Sequence, residues 1–315
     1  MKEFALVLGG GSTKGFAHIG ILKVLEKYNL KPSLIVGTSM GALVGGLYCA
    51  GVSVKDMEDM AQKFNNIGTF SLYSTLFKGN LLNITKVHKI LDKLLKDKTH
   101  ESCDIKFVSV ATVLNKGVEE HLDSGYIKDS IMASISIPAV FPRFKIGDKH
   151  YVDGGLLNNL PEDVVKEYLP NAKIISVDPI GDYSKQVEKL KLKTAETILN
   201  ASTLMTQTIA QKKPKYADIR IVISQPTVSQ MDFSAKTTKK AIANGENAIK
   251  KVIDDIKTLL GVKDEPKGLN YSLTSQKATT KEPNKIKKNN YNSKLTTKSQ
   301  STLTKNSKST KSKKG

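Results

Sequence analysis

The segment Gly37-Thr38-Ser39-Met40-Gly41 lies where an apolar run, Ser33-Leu34-Ile35-Val36, gives way to the small-residue run Ala42-Leu43-Val44-Gly45-Gly46-Leu47. The pattern is a strand that turns directly into a helix, and two glycines bracket the serine at the crossing. With no Cβ at the glycines, strand and helix can cross closely, and the serine can sit on a sharp, strained turn with its hydroxyl open to an incoming molecule. This is the sequence form of a nucleophile elbow. Gly-x-Ser-x-Gly arises by chance in about one chain in ten of this length, so the segment alone decides little. It has company on both sides: Gly9-Gly10-Gly11-Ser12-Thr13-Lys14-Gly15 upstream and Asp153-Gly154-Gly155 downstream.

Strand and helix patterns alternate around these segments. Phe4–Leu8 reads as a buried strand, and 15–29 as a helix with Ile19, Leu22, Val24, Leu25 and Tyr28 on one face. Residues 34–36 form the next strand and the elbow helix follows. Residues 53–64 are an amphipathic helix, with Ser53 as N-cap and Asp56 at the third helical position. The spacing predicts loop over 65–82, helix over Ile84–Leu95, strand over 107–113 and helix over Ile127–Ser134. In Ser136-Ile137-Pro138-Ala139-Val140-Phe141-Pro142 two prolines exclude helix and central strand. Tyr151-Val152 is a strand leading into Asp153. Further strands are predicted at 173–177 and 217–223, and helices at about 185–211 and 234–260. Such alternation implies an α/β fold, a mostly parallel sheet with helices on both faces.

The 315 residues carry a formal charge of +19, unevenly distributed. From Lys263 onward, fourteen lysines face only Asp264, Glu265 and Glu282, a net +11. That tail is rich in Ser, Thr and Asn and buries too little apolar surface to offset its ordering entropy. The expected organisation is a folded domain over 1–262 and a disordered lysine-rich tail over 263–315. Two cysteines, Cys49 and Cys103, with neither disulfide nor metal-ligand spacing, fit a reduced, cytoplasmic setting. The first eight residues read as a strand, not a signal peptide, and no run reaches the length of a membrane span. Any membrane contact is expected to be peripheral.

The glycine loop follows a strand and opens a helix, so its N–H groups face an anion: a phosphate, or an oxyanion in a hydrolase. Spacing separates the two. A P-loop needs Gly-Lys-Ser/Thr, whereas Lys14 here precedes Gly15; a dinucleotide fingerprint needs an acid at the end of the second strand, which ends instead in Gly-Thr-Ser. The base for a serine nucleophile is less plain. No histidine follows His150. His88, His100 and His121 are expected at the surface, His18 is either near the loop or at the edge of the core, and His150 should point away from Asp153 along an extended segment. Asp153 is the better candidate, although Asp-Gly-Gly taken by itself is also an ordinary turn.

The four blocks, in this order, resemble the patatin-like phospholipase family over roughly residues 4–180. The resemblance implies a three-layer α/β/α sandwich, a Ser–Asp dyad without histidine, and hydrolysis of acyl esters of phospholipids and related lipids. It assigns Ser39 as nucleophile and Asp153 as its partner, with the oxyanion hole at the N–H groups of Gly10, Gly11 and Ser12. Gly9, Lys14, Gly15, Gly37, Gly41, Gly154 and Gly155 become supporting residues, and neither metal nor cofactor is required. Ser12 departs from the family, which often has a third glycine or alanine there; its side chain bears on substrate size. Acyl transfer to an alcohol would use the same residues, and a non-catalytic lipid-binding protein is the reading of another class, opposed by the intact Ser39 and Asp153. For the tail, an electrostatic tether to anionic membrane competes with simple solvation. Nucleic-acid binding is disfavoured, since only Tyr271 and Tyr291 could stack and arginine is absent there.

Overall fold

The computed structural model describes residues 1–63, 84–138, 140–181, 194–223, 225 and 232–262; the expected loop over 65–82 and the lysine-rich tail lie outside them. Five strands form a parallel core: β1 (Phe4–Leu8), β2 (Leu34–Thr38), β3 (Lys106–Val113), β7 (Lys173–Asp178) and β8 (Ile219–Val222), in the order β3-β2-β1-β7-β8. β3 is longer than its partner β2; β4 (Val118–Leu122) runs antiparallel along its C-terminal half, and the excess beyond β2 pairs antiparallel with β6 (Lys149–Asp153), which carries β5 (Phe144–Ile146).

Side chains alternate across these strands, so each feeds two separate cores. Ala5, Val7, Leu34, Val36, Val108 and Val110 pack on one face with Val164 and Val165. Those valines belong to helix α6, numbered after α1 (Ala17–Lys27), α2 (Met40–Cys49), α3 (Val54–Lys63), α4 (Ile84–Leu95) and α5 (Ile127–Ser134); α6 is Glu162–Tyr168. Phe4, Leu6, Leu8, Ile35, Phe107 and Ile175 face the opposite side and the larger core made with α1 to α5. The result is the three-layer α/β/α sandwich that the family resemblance implies, on the mostly parallel sheet that the alternation implies.

The remaining helices are α7 (Thr194–Lys212), α8 (Ala235–Lys250) and α9 (Ile253–Leu260). One helix was expected over 234–260; the chain instead breaks at Lys251-Val252, where no glycine or proline warns of it. α8 lies directly on α1: a Cβ on Gly20 would come within 2.1 Å of the Ile242 carbonyl oxygen, and one on Gly245 within 2.0 Å of that of Ala17. Ser53 caps α3 as its sequence predicts, its Oγ accepting the Asp56 N–H at 3.1 Å. No described helix is long and apolar enough to cross a membrane.

Candidate active site

The strand register brings Ser39 and Asp153 together. Val110 pairs with both Thr38 and His121, and Ala111 pairs with both Asp153 and Glu120. Since β4 takes one edge of β3 at both positions, β2 and β6 share the other edge and approach each other end to end along it. β2 ends at Thr38, opposite Val110, and β6 ends at Asp153, opposite Ala111. Ser39, the next residue after Thr38, therefore meets Asp153, with a sequence separation of 114 between them.

The Ser39 hydroxyl donates to Asp153 Oδ2 at 2.6 Å, and the Gly155 N–H donates to Oδ1 at 2.7 Å. Ser39 and Asp153 are each only 6% exposed. Burial raises the Asp153 pKa to about 6, against the lowering effect of those two hydrogen bonds. Its carboxylate is thus a markedly better proton acceptor than an exposed aspartate and is still ionised at neutral pH.

Each partner is held on a strained or crowded backbone. Ser39 has φ +56° and ψ −121°, a left-handed conformation that side chains rarely adopt. Two neighbours sustain it. A Cβ on Gly41 would sit 1.9 Å from the Leu8 carbonyl oxygen, so the first turn of α2 presses on the end of β1. The Ser39 N–H donates to Ser134 Oγ at 2.8 Å, and that hydroxyl donates to the Val110 carbonyl at 2.6 Å, bridging elbow, α5 and β3. On the acid side, a Cβ on Gly154 would lie 2.1 Å from the Val110 carbonyl oxygen. The Asp153 N–H donates to the Ser136 carbonyl at 3.0 Å, and its carbonyl accepts from Thr112 Oγ1 at 3.1 Å. Ser136 thus gives the proline-bearing segment a definite task, while Ile137 and Pro138 wall the cleft over the pair.

The glycine loop lies beside the elbow and leads through a 3-10 turn, Ser12–Phe16, into α1. Its hydrogen bonds correct one expectation. The Gly10 N–H donates to the Asn159 carbonyl at 3.0 Å, while Asn159 Nδ2 donates to the Gly10 carbonyl at 3.2 Å. Gly10 is held on both sides, so its amide is engaged and not open to an oxyanion. Among the described residues no acceptor lies on the Gly11 N–H, and Gly11 and Ser12 both line the cleft. Because C=O and N–H of one trans peptide unit point opposite ways, the Asn159 bond to the Gly10 carbonyl also fixes the direction of the Gly11 N–H. Ser12 stands at φ +46°, a conformation natural to glycine, with its side chain half-buried in the cleft wall.

The supporting residues take several places. The Gly9 N–H pairs with the Val177 carbonyl at 3.0 Å, Gly15 abuts Met40, and Gly37 faces the Gly41 carbonyl. Lys14 is buried behind the loop, outside the cleft lining. Burial lowers its pKa to about 8, opposed by Asp178. Its backbone accepts from Gln225 Nε2 at 3.2 Å and donates to the Gly11 carbonyl at 3.0 Å.

Among the described residues no histidine hydrogen-bonds to Ser39 or Asp153. His18 is fully buried; its Nε2–H donates to the Gly9 carbonyl at 2.8 Å, and burial lowers its pKa to about 4, so it braces the loop as a neutral ring. His100, expected at the surface, is buried instead. It stacks on Phe107, with Nδ1 3.0 Å from the Phe107 carbonyl and Nε2 3.0 Å from Ser130 Oγ. His121 is half-buried between Glu119 and Glu167 rather than free at the surface, and His88 is half-buried beside Phe144. Among the described residues no His, Cys, Asp and Glu cluster has the arrangement of a metal centre.

No local sequence pattern marks Ser134 or Asn159. Their bonds to the elbow and the glycine loop span 95 and 149 residues, beyond any local pattern. The one usable signal was the Asn158-Asn159 pair shortly after Asp-Gly-Gly.

Comparison with known proteins bears on the same residues. The lysophospholipase nte1 of Emericella nidulans is 31% identical over 163 residues, which cover 50% of this chain and 11% of that protein. The lysophospholipase NTE1 of Scheffersomyces stipitis is 32% identical over 184 residues, 56% of this chain and 12% of that protein. The chain thus spans only about a tenth of the length of these curated relatives. Among solved structures, VipD from Legionella pneumophila aligns with a TM-score of 0.46 and 16% identity, covering 81% of this chain and 67% of that one. Residues 6–166 match the family described as patatin-like phospholipase. That stretch runs from inside β1 to inside α6, takes in just over half of the chain, and includes the buried pair with both loops that hold it: the chain belongs to the patatin-like phospholipase family.

Proposed function

We propose that this protein hydrolyses acyl esters of lipids, of the phospholipid or lysophospholipid class, through an acyl-enzyme on Ser39. The observation that carries the reading is the buried 2.6 Å hydrogen bond from Ser39 Oγ to an aspartate whose pKa is raised to about 6. Family membership and the resemblance to lysophospholipases supply the substrate class.

Ser39 Oγ attacks the acyl carbonyl carbon as its proton passes to Asp153 Oδ2. The Gly11 amide, at the start of the turn that leads into α1, stabilises the oxyanion; the Gly10 amide, engaged by Asn159, is left out of the donor set. One donor of this kind is worth about 3–4 kcal/mol of transition-state stabilisation. Collapse expels the alkoxide, which takes the proton back from Asp153 and leaves as the alcohol. Water then attacks the acyl-enzyme, gives a proton to Asp153, and the fatty acid departs as Ser39 recovers its hydrogen. Asp153 serves twice with the same oxygen. No histidine is needed, because burial raises the basicity of the carboxylate that a histidine would otherwise supplement.

The test is a panel of lysophospholipids, diacyl phospholipids and short-chain esters with wild type and Ser39→Ala. Wild type is expected to release fatty acid from at least one lipid class, with Ser39→Ala at under about a hundredth of that rate. Undiminished release by Ser39→Ala would overturn the assignment.

A further inference from the structure

α7 has two unlike sides. Ser202, Thr203 and Thr206 line the cleft. At about 100° per residue, Leu204 falls on the opposite arc and Met205 beside it, where Leu204 is 51% and Met205 66% exposed. Ala201 and Thr208 on that arc are also exposed. The helix is fixed to the body just beyond its C-terminus, where Lys213 Nζ reaches Asp163 at 2.8 Å and Glu119 at 3.2 Å. Its cleft side is therefore committed, and its apolar side faces water. Exposed Lys212 lies on the same outer side, and exposed Lys215 and Tyr216 follow the end of the helix; among the described residues neither of these two lysines has a carboxylate partner.

Resting on the lipid-hydrolase reading, we propose that this outer face of α7 is the surface by which the protein seats on an anionic lipid aggregate. Leucine and methionine side chains enter the acyl boundary, Tyr216 sits at headgroup level, and Lys212 and Lys215 meet lipid phosphates. Charge supports a lipid occupant over a second copy of the chain, because residues 1–262 already carry a net +8 and two such faces would bring like charges together. The placement also has a use. One helix walls the cleft and touches the aggregate, so a lipid ester can pass to Ser39 without its acyl chain crossing water. This surface is distinct from the lysine-rich tail.

The chain contains no tryptophan, so Met205→Trp in the full-length protein is a direct reporter, with Val118→Trp on exposed β4 as control. On adding vesicles of phosphatidylcholine and phosphatidylglycerol, the emission of the Met205→Trp protein should shift to the blue and be quenched by brominated acyl chains, while that of the Val118→Trp protein stays unchanged. Leu204→Glu/Met205→Glu should lower hydrolysis of vesicle lipid by about tenfold or more and leave turnover of a soluble short-chain ester unchanged. Emission from Met205→Trp that ignores the vesicles, or that shifts with protein concentration in the absence of lipid, would overturn the proposal; the latter would mark an interface between copies. The fluorescence does not depend on catalysis, so a protein that seats on vesicles but cleaves no ester would sink the hydrolase reading and leave the surface standing.

Discussion

At the residue scale, the chemistry turns on how a carboxylate becomes basic enough to take a proton from serine. Asp153 is largely buried and, among the described residues, its carboxylate accepts two hydrogen bonds, from Ser39 and Gly155, too few to cancel the effect of burial. Activity should therefore fall on an acid limb with a midpoint near pH 6, about tenfold per unit below it, measured as kcat/KM against pH. The same shift acts on stability. A folded-state pKa above the unfolded value means that Asp153 stabilises the fold when protonated, and this contribution is lost as pH rises from about 4 through about 6. Asp153→Asn should lower turnover by roughly 10²–10⁴-fold. Thermal melts at about pH 7.5 should find the variant no less stable than wild type, the usual trade at a functional site, and the difference should shrink towards about pH 4. A lower melting temperature for the variant at the higher pH would mean that the charged carboxylate is a net stabiliser.

At the element scale, the site is a property of crossings. β2 and β6 end opposite successive residues of β3, and α2 leaves the first of them so tightly that Gly41 has backbone where a Cβ would go. Gly41→Ala should cost more than about 3 kcal/mol or prevent folding, since the obstacle is the Leu8 carbonyl rather than a movable side chain; denaturant unfolding measures it. An alanine tolerated within about 1 kcal/mol would mean that β1 and α2 can separate. The elbow, the parallel strands and most helices were legible because they rest on local periodicity and glycine punctuation. Other features were not. The Phe144–Ile146 strand is three residues long, follows a proline, and pairs only with β6, so its sequence carries little strand signal. His100 reads as exposed among Thr99, Glu101 and charged neighbours, yet the bridge from Thr99 to Tyr126 turns it inward onto Phe107. The acceptor on the Gly10 amide belongs to Asn159, a residue whose position only the assembled sheet determines.

At the scale of the whole molecule, catalysis and localisation are expected to separate. The N-terminus is tied to α9 by the Lys2 N–H to the Leu260 carbonyl at 2.7 Å, so the chain closes on itself before the lysine-rich tail begins. Deleting residues 263–315 should leave turnover of a soluble ester within about twofold of the full chain. It should weaken sedimentation with anionic vesicles at low salt, where each lysine near such a surface contributes up to about 1 kcal/mol. High salt should abolish the difference, because it screens the tail charges. Equal vesicle binding by both forms at low salt would reduce the tail to solvated chain.

Every step of the proposed chemistry requires Ser39 Oγ to be the atom that forms the covalent bond. Peptide mass mapping after reaction with a lipid-like fluorophosphonate tests this most directly. The expected result is one phosphonyl group per protein, on the peptide containing Ser39, with labelling abolished in Ser39→Ala and slowed by about a hundredfold or more in Asp153→Asn. A stoichiometric adduct on another residue, or labelling of Ser39 that proceeds as fast without the Asp153 carboxylate, would contradict it.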